Sequence, residues 1–225
     1  MGLFTSIAER TPHGDLLAYT PPHSLWSNGL TKERLLHVPA GAPVDASAPR
    51  SWIFPEGTVF AKTFVHEGAP VETRLLFRTT EKWAYAPDEW AADGSDATLL
   101  SGNWPEQPLD LDGVPHTLPS RLDCRTCHET HEEVWDTPVL GVSGLQLSDD
   151  IAANVAFAGA VADEPVEGAT PAETAAFGYF VGNCVSCHNG GSATNSSFSL
   201  FPDQAVATTV NQATESETGE GIRVV

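Results

Sequence analysis

The sequence predicts an α+β protein: an N-terminal antiparallel β-rich module over residues 1–115, then a mainly helical and loop region over 116–225. Three observations carry that prediction. Thr58 to Val65 is dense in β-branched and aromatic residues. After Pro115 this character gives way to helix and loop patterns. Thr170-Pro171-Ala172-Glu173 joins an N-cap Thr, a Pro at the first helical position and a Glu placed for a capping box. With 225 residues, 41% of them hydrophobic, the chain can bury a sizeable core.

Taken in order, the first third is broken into short segments by Pro21-Pro22, Pro39-Ala40-Gly41-Ala42-Pro43 and Pro49. In the run from Thr58, Phe60 and Phe64 share one parity with Lys62 between them, while Val59 and Val65 take the other. Glu67-Gly68-Ala69-Pro70 reads as a reversing loop, Val71 to Arg78 as a partner strand, and Lys82 to Tyr85 as a third strand of an antiparallel meander. Trp52, Phe54, Trp83, Tyr85 and Trp90 have spacings that suit core and cross-strand packing better than a ligand-binding face. Lys62 and Glu72 are expected to face one another across the hairpin as a modest surface ion pair.

Helices are expected over Glu129 to Trp135, over Ser148 to Val161, and from Thr170 through Phe177 and Phe180 to about Gly182. The last of these delivers Cys184 just past its C-terminus. Asn189-Gly190-Gly191-Ser192 reads as a turn and Thr208 to Glu220 as a polar loop. Ile222-Arg223-Val224-Val225 opens an apolar stretch, as in a chain truncated at its C-terminus.

The chemistry lies in two pentapeptides, Cys124-Arg125-Thr126-Cys127-His128 and Cys184-Val185-Ser186-Cys187-His188, which use all four cysteines. Each is C-x-x-C-H, the spacing for covalent attachment of a c-type haem. Two thiols three positions apart reach the two vinyl groups of one porphyrin, and the adjoining imidazole becomes the proximal iron ligand. The cofactor expectation is therefore two covalently bound haem c groups. Cys124, Cys127 and His128 hold one, Cys184, Cys187 and His188 the other, with His128 and His188 on the irons. A four-thiolate zinc site is the first rival, but the pairs lie 60 residues apart and zinc leaves both histidines unexplained. Disulfides are the second, yet C-x-x-C bridges do little to staple a chain of this length.

The sixth ligands decide whether an iron only carries electrons or also binds a substrate. The single methionine, Met1, rules out His/Met coordination at both irons of this chain. The remaining histidines are His13, His23, His37, His66, His116 and His131; His116 and His131 flank the first motif and are the leading candidates, while His66 at a strand end reads as structural.

Formal net charge is −19, from 30 acidic and 11 basic residues. Such an excess favours solubility and excludes nucleic acid and anionic membranes as partners, leaving redox proteins as the expected ones. No apolar run approaches the length of a transmembrane segment, and Met1 to Arg10 carries no signal-peptide pattern. Haem attachment to C-x-x-C-H nevertheless implies export, so the expected location is periplasmic or extracellular and the chain reads as a form without its leader.

Further residues carry a family resemblance. Leu25-Trp26-Ser27 with Lys32 and Arg34, Trp52-Ile53-Phe54-Pro55-Glu56-Gly57-Thr58, Lys62-Thr63-Phe64 and Glu72-Thr73-Arg74-Leu75-Leu76 form its first part. Asp96-Ala97-Thr98-Leu99, Leu140-Gly141, Leu145-Gln146-Leu147 and Asn183-Cys184 continue it. From about residue 24 to 200 the chain resembles a largely uncharacterised group of bacterial dihaem c-type cytochromes. The resemblance implies an exported electron carrier with a β-rich module joined to a cytochrome portion. Comparable sequences continue past Val225 into a stretch containing Met, which implies a sixth ligand beyond this chain's end. Electron transfer between redox partners is the leading functional expectation. A haem-dependent oxidoreductase or peroxidase with one open iron site is the alternative, and a ligand- or partner-binding β module is the third.

Overall fold

The structure is a computed structural model and describes residues 2–129, 137–191 and 198–212. Ten strands come first: β1 Phe4–Ser6, β2 Thr11–Pro12, β3 Leu17–Ala18, β4 Thr31–His37, β5 Val59–His66, β6 Ala69–Arg78, β7 Trp83–Trp90, β8 Ala97–Leu99, β9 Gln107–Leu111 and β10 Val114–Leu118. Helices α1 Arg121–His128, α2 Asp149–Asn154, α3 Pro171–Asn183 and α4 Ala205–Thr209 follow, joined by irregular segments. Strands β3 to β8 make a six-stranded antiparallel sheet in sequence order, while β1-β2 and β9-β10 are separate hairpins. The meander expected from the sequence is the centre of that sheet. Its third strand runs on to Trp90.

Hairpin β5-β6 turns through Glu67-Gly68, both at positive φ (48° and 87°), the type I′ form whose twist matches the flanking strands. The four-residue loop expected there is thus a two-residue turn, and Ala69 and Pro70 belong to β6. A register shift follows at once: Val65 faces Pro70, but Phe64 faces Glu72, which leaves Val71 as an extra residue. This bulge sets Lys62 opposite Arg74. The expected surface pair of Lys62 with Glu72 is therefore corrected; Glu72 is fully buried and bonded to Arg74 and His116 instead.

The two faces of the sheet serve different cores. Leu36, Phe60 and Leu76 pack with Trp52, Phe54, Val139, Val142 and Ile151, and Trp83 and Tyr85 lean on that cluster. Phe54 meets Phe60 edge-on at 5.1 Å and Trp52 meets Phe157 at 5.5 Å. On the reverse face Leu35, Ala61 and Leu75 pack with Leu3. Trp90, also buried, donates from Nε1 to Thr73 Oγ1 at 2.9 Å. The five aromatics singled out in the sequence are packing residues. The main core draws on both sides of residue 115, and β10 runs across it.

Two helix expectations change. The helix expected over Ser148 to Val161 stops at Asn154, because Ala156 accepts from Val44, Ala158 donates to it, and Phe157 is drawn into the core. The helix expected over Glu129 to Trp135 lies outside the described residues except for Glu129, the C-cap of α1. α3 starts as expected, with Thr170 Oγ1 accepting from the Glu173 amide at 3.2 Å, and runs one residue past Gly182. Among the described residues no helix is long and apolar enough to cross a membrane.

Candidate haem-attachment site

The first motif lies within α1. Ser120 opens that helix with a capping box: its Oγ accepts from the Asp123 amide at 3.2 Å, and the Asp123 carboxylate accepts from the Ser120 amide at 2.8 Å. None of the eight residues of α1 is buried, and Leu122 is 69% exposed. His128 ties the helix to the sheet. Its ring lies 5.4 Å from that of Tyr85 on β7, and its Nδ1 is 2.6 Å from the carbonyl oxygen of Pro138. Nδ1 donates that bond, so in the neutral ring the lone pair is on Nε2. A metal-binding histidine is prepared in this way, its second nitrogen fixed by a carbonyl or carboxylate.

The second motif continues α3. Cys184 is the C-cap, donating to Phe180 at 2.8 Å, and its own carbonyl accepts from Cys187 (3.0 Å) and His188 (2.8 Å). One wound turn thus holds both cysteines and the histidine. Val185 within it is buried with Val181, Leu145 and Phe201. The His188 ring stacks on Phe198, centroids 4.5 Å apart and planes 11° from parallel. The expected turn beyond begins at Asn189, whose bridge to Ser199 and Gly190 at φ 80° reverse the chain; Ser192 lies outside the described residues.

The fold brings the motifs within electrostatic reach of each other. Partial desolvation raises the pKa of the Cys127 thiol although the residue is exposed, and the Cys187 thiol adds to that shift. Burial likewise raises Cys124 and Cys184. Raised thiols are poor nucleophiles and poor thiolate donors at neutral pH. None of the four cysteines is in a disulfide. Among the described residues the one trio whose ligand atoms converge within 4.8 Å is His66, Glu67 and Asp112, at two hairpin tips. The cysteines form no such group, which a four-thiolate zinc tetrahedron requires.

The other histidines are mostly committed. His116 on β10 is buried, with Nε2 2.8 Å from Glu72 Oε1 and its ring against Phe64. That bond occupies it, and the structure does not support His116 as a sixth ligand. His13 and His37 both lie on Asp15, at 2.8 Å and 3.3 Å. His66 Nε2 is buried and has no hydrogen-bond partner among the described residues. The His23 ring rests on α3, where a Cβ at Gly178 would come within 2.6 Å of it. His131 lies outside the described residues.

Sequence reasoning missed the capping box at Ser120-x-x-Asp123, although its pattern was readable. It had no means of finding Pro138 or Tyr85 as partners of His128, since both contacts are tertiary. It also missed that Lys32, Arg34, Lys62 and Arg74 share one sheet face. Compared with family models, with curated proteins and with solved structures, the chain matches none.

Proposed function

We propose that this protein is an exported dihaem c-type cytochrome that carries electrons between redox partner proteins. The observation that carries the reading is His128, in a C-x-x-C-H helix, with Nδ1 donating to a backbone carbonyl, which in the neutral ring puts the lone pair on Nε2. Cys124 and Cys127 would hold the first haem and His128 its iron; Cys184, Cys187 and His188 would hold the second. When bound, the haems supply one-electron chemistry at potentials set by ligands and surroundings. The protein's part is to fix the two imidazoles and to set their environments. Covalent attachment also gives α1 a packing partner, which its unburied side chains call for. Export follows from the same attachment chemistry, and the mainly helical dihaem region is part of this reading.

A second reading, a haem enzyme with one open iron site, draws on the histidines. His13, His37 and His116 are bonded to carboxylates, which leaves few internal sixth ligands. Protein produced with haem-attachment machinery is expected to give two haems per chain by pyridine haemochrome assay. Iron-free protein holding zinc would overturn both readings. Two low-spin ferric haems inert to cyanide favour the carrier; a high-spin haem that binds cyanide favours the enzyme.

A further inference from the structure

Four of the eleven basic residues of this acidic chain meet on one face of the sheet. Arg34 on β4, Lys62 on β5 and Arg74 on β6 lie directly opposite one another, a cationic row across three strands. The next row on that face is Lys32, Phe64 and Glu72. Phe64 is the floor between the charges: Lys32 Nζ lies 5.7 Å, Lys62 Nζ 5.1 Å and Arg74 Cζ 4.4 Å from its ring centroid. Like charges directly across strands destabilise a sheet, so the arrangement needs a reason.

The protein's own carboxylates do not supply one. Two acids share this face, Glu72 and, directly opposite it on β7, Glu89. Glu89 makes no ion pair among the described residues, and both oxygens of Glu72 are taken. Oε2 accepts from Arg74 Nε at 3.0 Å, and Oε1 accepts from Arg74 Nη2 and faces His116 Nε2 at 2.8 Å. Lys32 Nζ donates to the Leu25 carbonyl. Among the described residues no carboxylate lies within ion-pair distance of Lys62 or Arg34. The row lies within electrostatic reach of the first motif: Arg74 lowers the pKa of the Cys124 thiol, and Arg74 and Lys62 lower that of Cys127, against the larger effect of desolvation.

We infer that the Arg34–Lys62–Arg74 row, flanked by Lys32 and floored by Phe64, is a binding site for an anionic oxygen ligand, a carboxylate or a small oxyanion. Guanidinium and ammonium donors converging on one point form short, charge-assisted bonds to such a group. The same ligand chemistry has two sources here. One is a propionate of the first haem, and that source rests on the proposed function; the other is a free oxyanion, which does not. The electrostatics agree with an unsatisfied site: burial first, then Arg74 and Arg34, push Lys62 down to about 7, and burial takes Lys32 down to about 8.

The test uses the matured full-length protein and three variants, Lys62→Met, Lys62→Arg and Arg34→Gln, each checked for haem content and thermal midpoint. Lys62→Met removes an unpaired half-buried charge and should fold at least as well as the native chain. Sulfate is titrated by calorimetry, and the potential of each haem is followed against pH. A free-oxyanion site shows one sulfate per chain, weakened about tenfold or more by Lys62→Met and Arg34→Gln but kept by Lys62→Arg. A propionate site shows no sulfate binding, while Lys62→Met moves one haem potential and its pH dependence and Lys62→Arg restores both. No sulfate binding together with unmoved potentials overturns the inference. A chain without haem overturns the proposed function instead, and the sulfate titration then judges the row by itself.

Discussion

The two C-x-x-C-H motifs are alike in sequence and unlike in setting. The first lies on an eight-residue helix that buries no side chain, before a sheet face carrying Lys62, Arg74 and the buried Glu72. The second caps a thirteen-residue helix whose Phe177 and Val181 are buried, and its own Val185 joins an apolar cluster with Leu145 and Phe201. One motif is thus held by polar contacts, the other by a core. Two haems in such places would feel different fields, because charge and burial are the levers by which a protein sets a potential. The difference teaches that one pentapeptide pattern can sit in two unlike environments, which the surrounding elements and not the motif decide.

The sharpest way to break this comparison is to remove each attachment in turn. If the proposed function holds, the double variants Cys124→Ser/Cys127→Ser and Cys184→Ser/Cys187→Ser should each fall from two haems to one per chain by pyridine haemochrome. Their other consequences should differ. With the proposed first attachment removed, α1 should lose amide hydrogen-exchange protection over residues 121–128, since none of its residues is buried. α3 should keep most of its protection from Phe177 and Val181. Equal losses in both helices would refute the contrast.

Glu72 is the next largest lever. It joins the cationic face to β10 through Arg74 and His116 with no exposure of its own. Glu72→Ala leaves both partners unpaired and should cost about 3–5 kcal/mol in chemical denaturation. Burial pushes the Glu72 pKa up, but the bonds from His116 and Arg74 outweigh it and hold the carboxyl below its ordinary 4.5. A depressed folded-state pKa means that this stabilisation is complete above pH 4.5 and is lost as pH falls through the lower folded value. The native chain should therefore lose stability on acidification below that point more steeply than Glu72→Ala does.

Legibility from sequence divides along the same line as the two settings. Local chemistry was readable: Thr170 and Pro171 announced α3, and the β-branched run announced β5. The Asp112-Gly113 turn of β9-β10, at φ 54° and 88°, was equally readable but was passed over. What depended on tertiary structure was not legible. A one-residue bulge at Val71 moved Lys62 opposite Arg74, and no alternation pattern reveals a bulge. Ala156 to Ala158 look helical by composition, yet Val44 captures the backbone of Ala156 and Ala158. For the candidate site, the six motif residues were evident from spacing, whereas the partners that give each its character came from elements far away in the chain.

A subtler probe compares two glycines of α3. Gly→Ala inside a helix ordinarily stabilises by about 1 kcal/mol. At Gly182 a Cβ would sit 2.9 Å from the His23 carbonyl oxygen and 3.1 Å from that of Ser24. These are backbone atoms of a segment pinned by Gln146 to His23 and by Asn183 to Trp26. Gly182→Ala should therefore destabilise by about 1–3 kcal/mol. At Gly178 the obstacle is the His23 ring, which can turn away, so Gly178→Ala should cost less. If Gly182→Ala proves neutral, the 23–26 segment does not dock on α3 as tightly as the second motif's setting requires.

The smallest effect tests the contrast most directly, because it applies one chemical change to both helices. Ser120 and Thr170 each accept a bond from the third helical amide, at 3.2 Å in both cases. Replacing either by Ala should cost about 1 kcal/mol of helix stability. In α3 that loss is set against Phe177, Val181 and the apolar cluster around Val185, so Thr170→Ala should leave the second motif ordered. In α1 the cap, the Arg125–Glu129 pair and the His128 contacts are what hold the helix, and exposed pairs add little. Ser120→Ala should accordingly raise exchange throughout residues 121–128, while Thr170→Ala raises it only in the first turn of α3. The reverse pattern would mean that the first motif is held by packing after all, and that the two settings are alike.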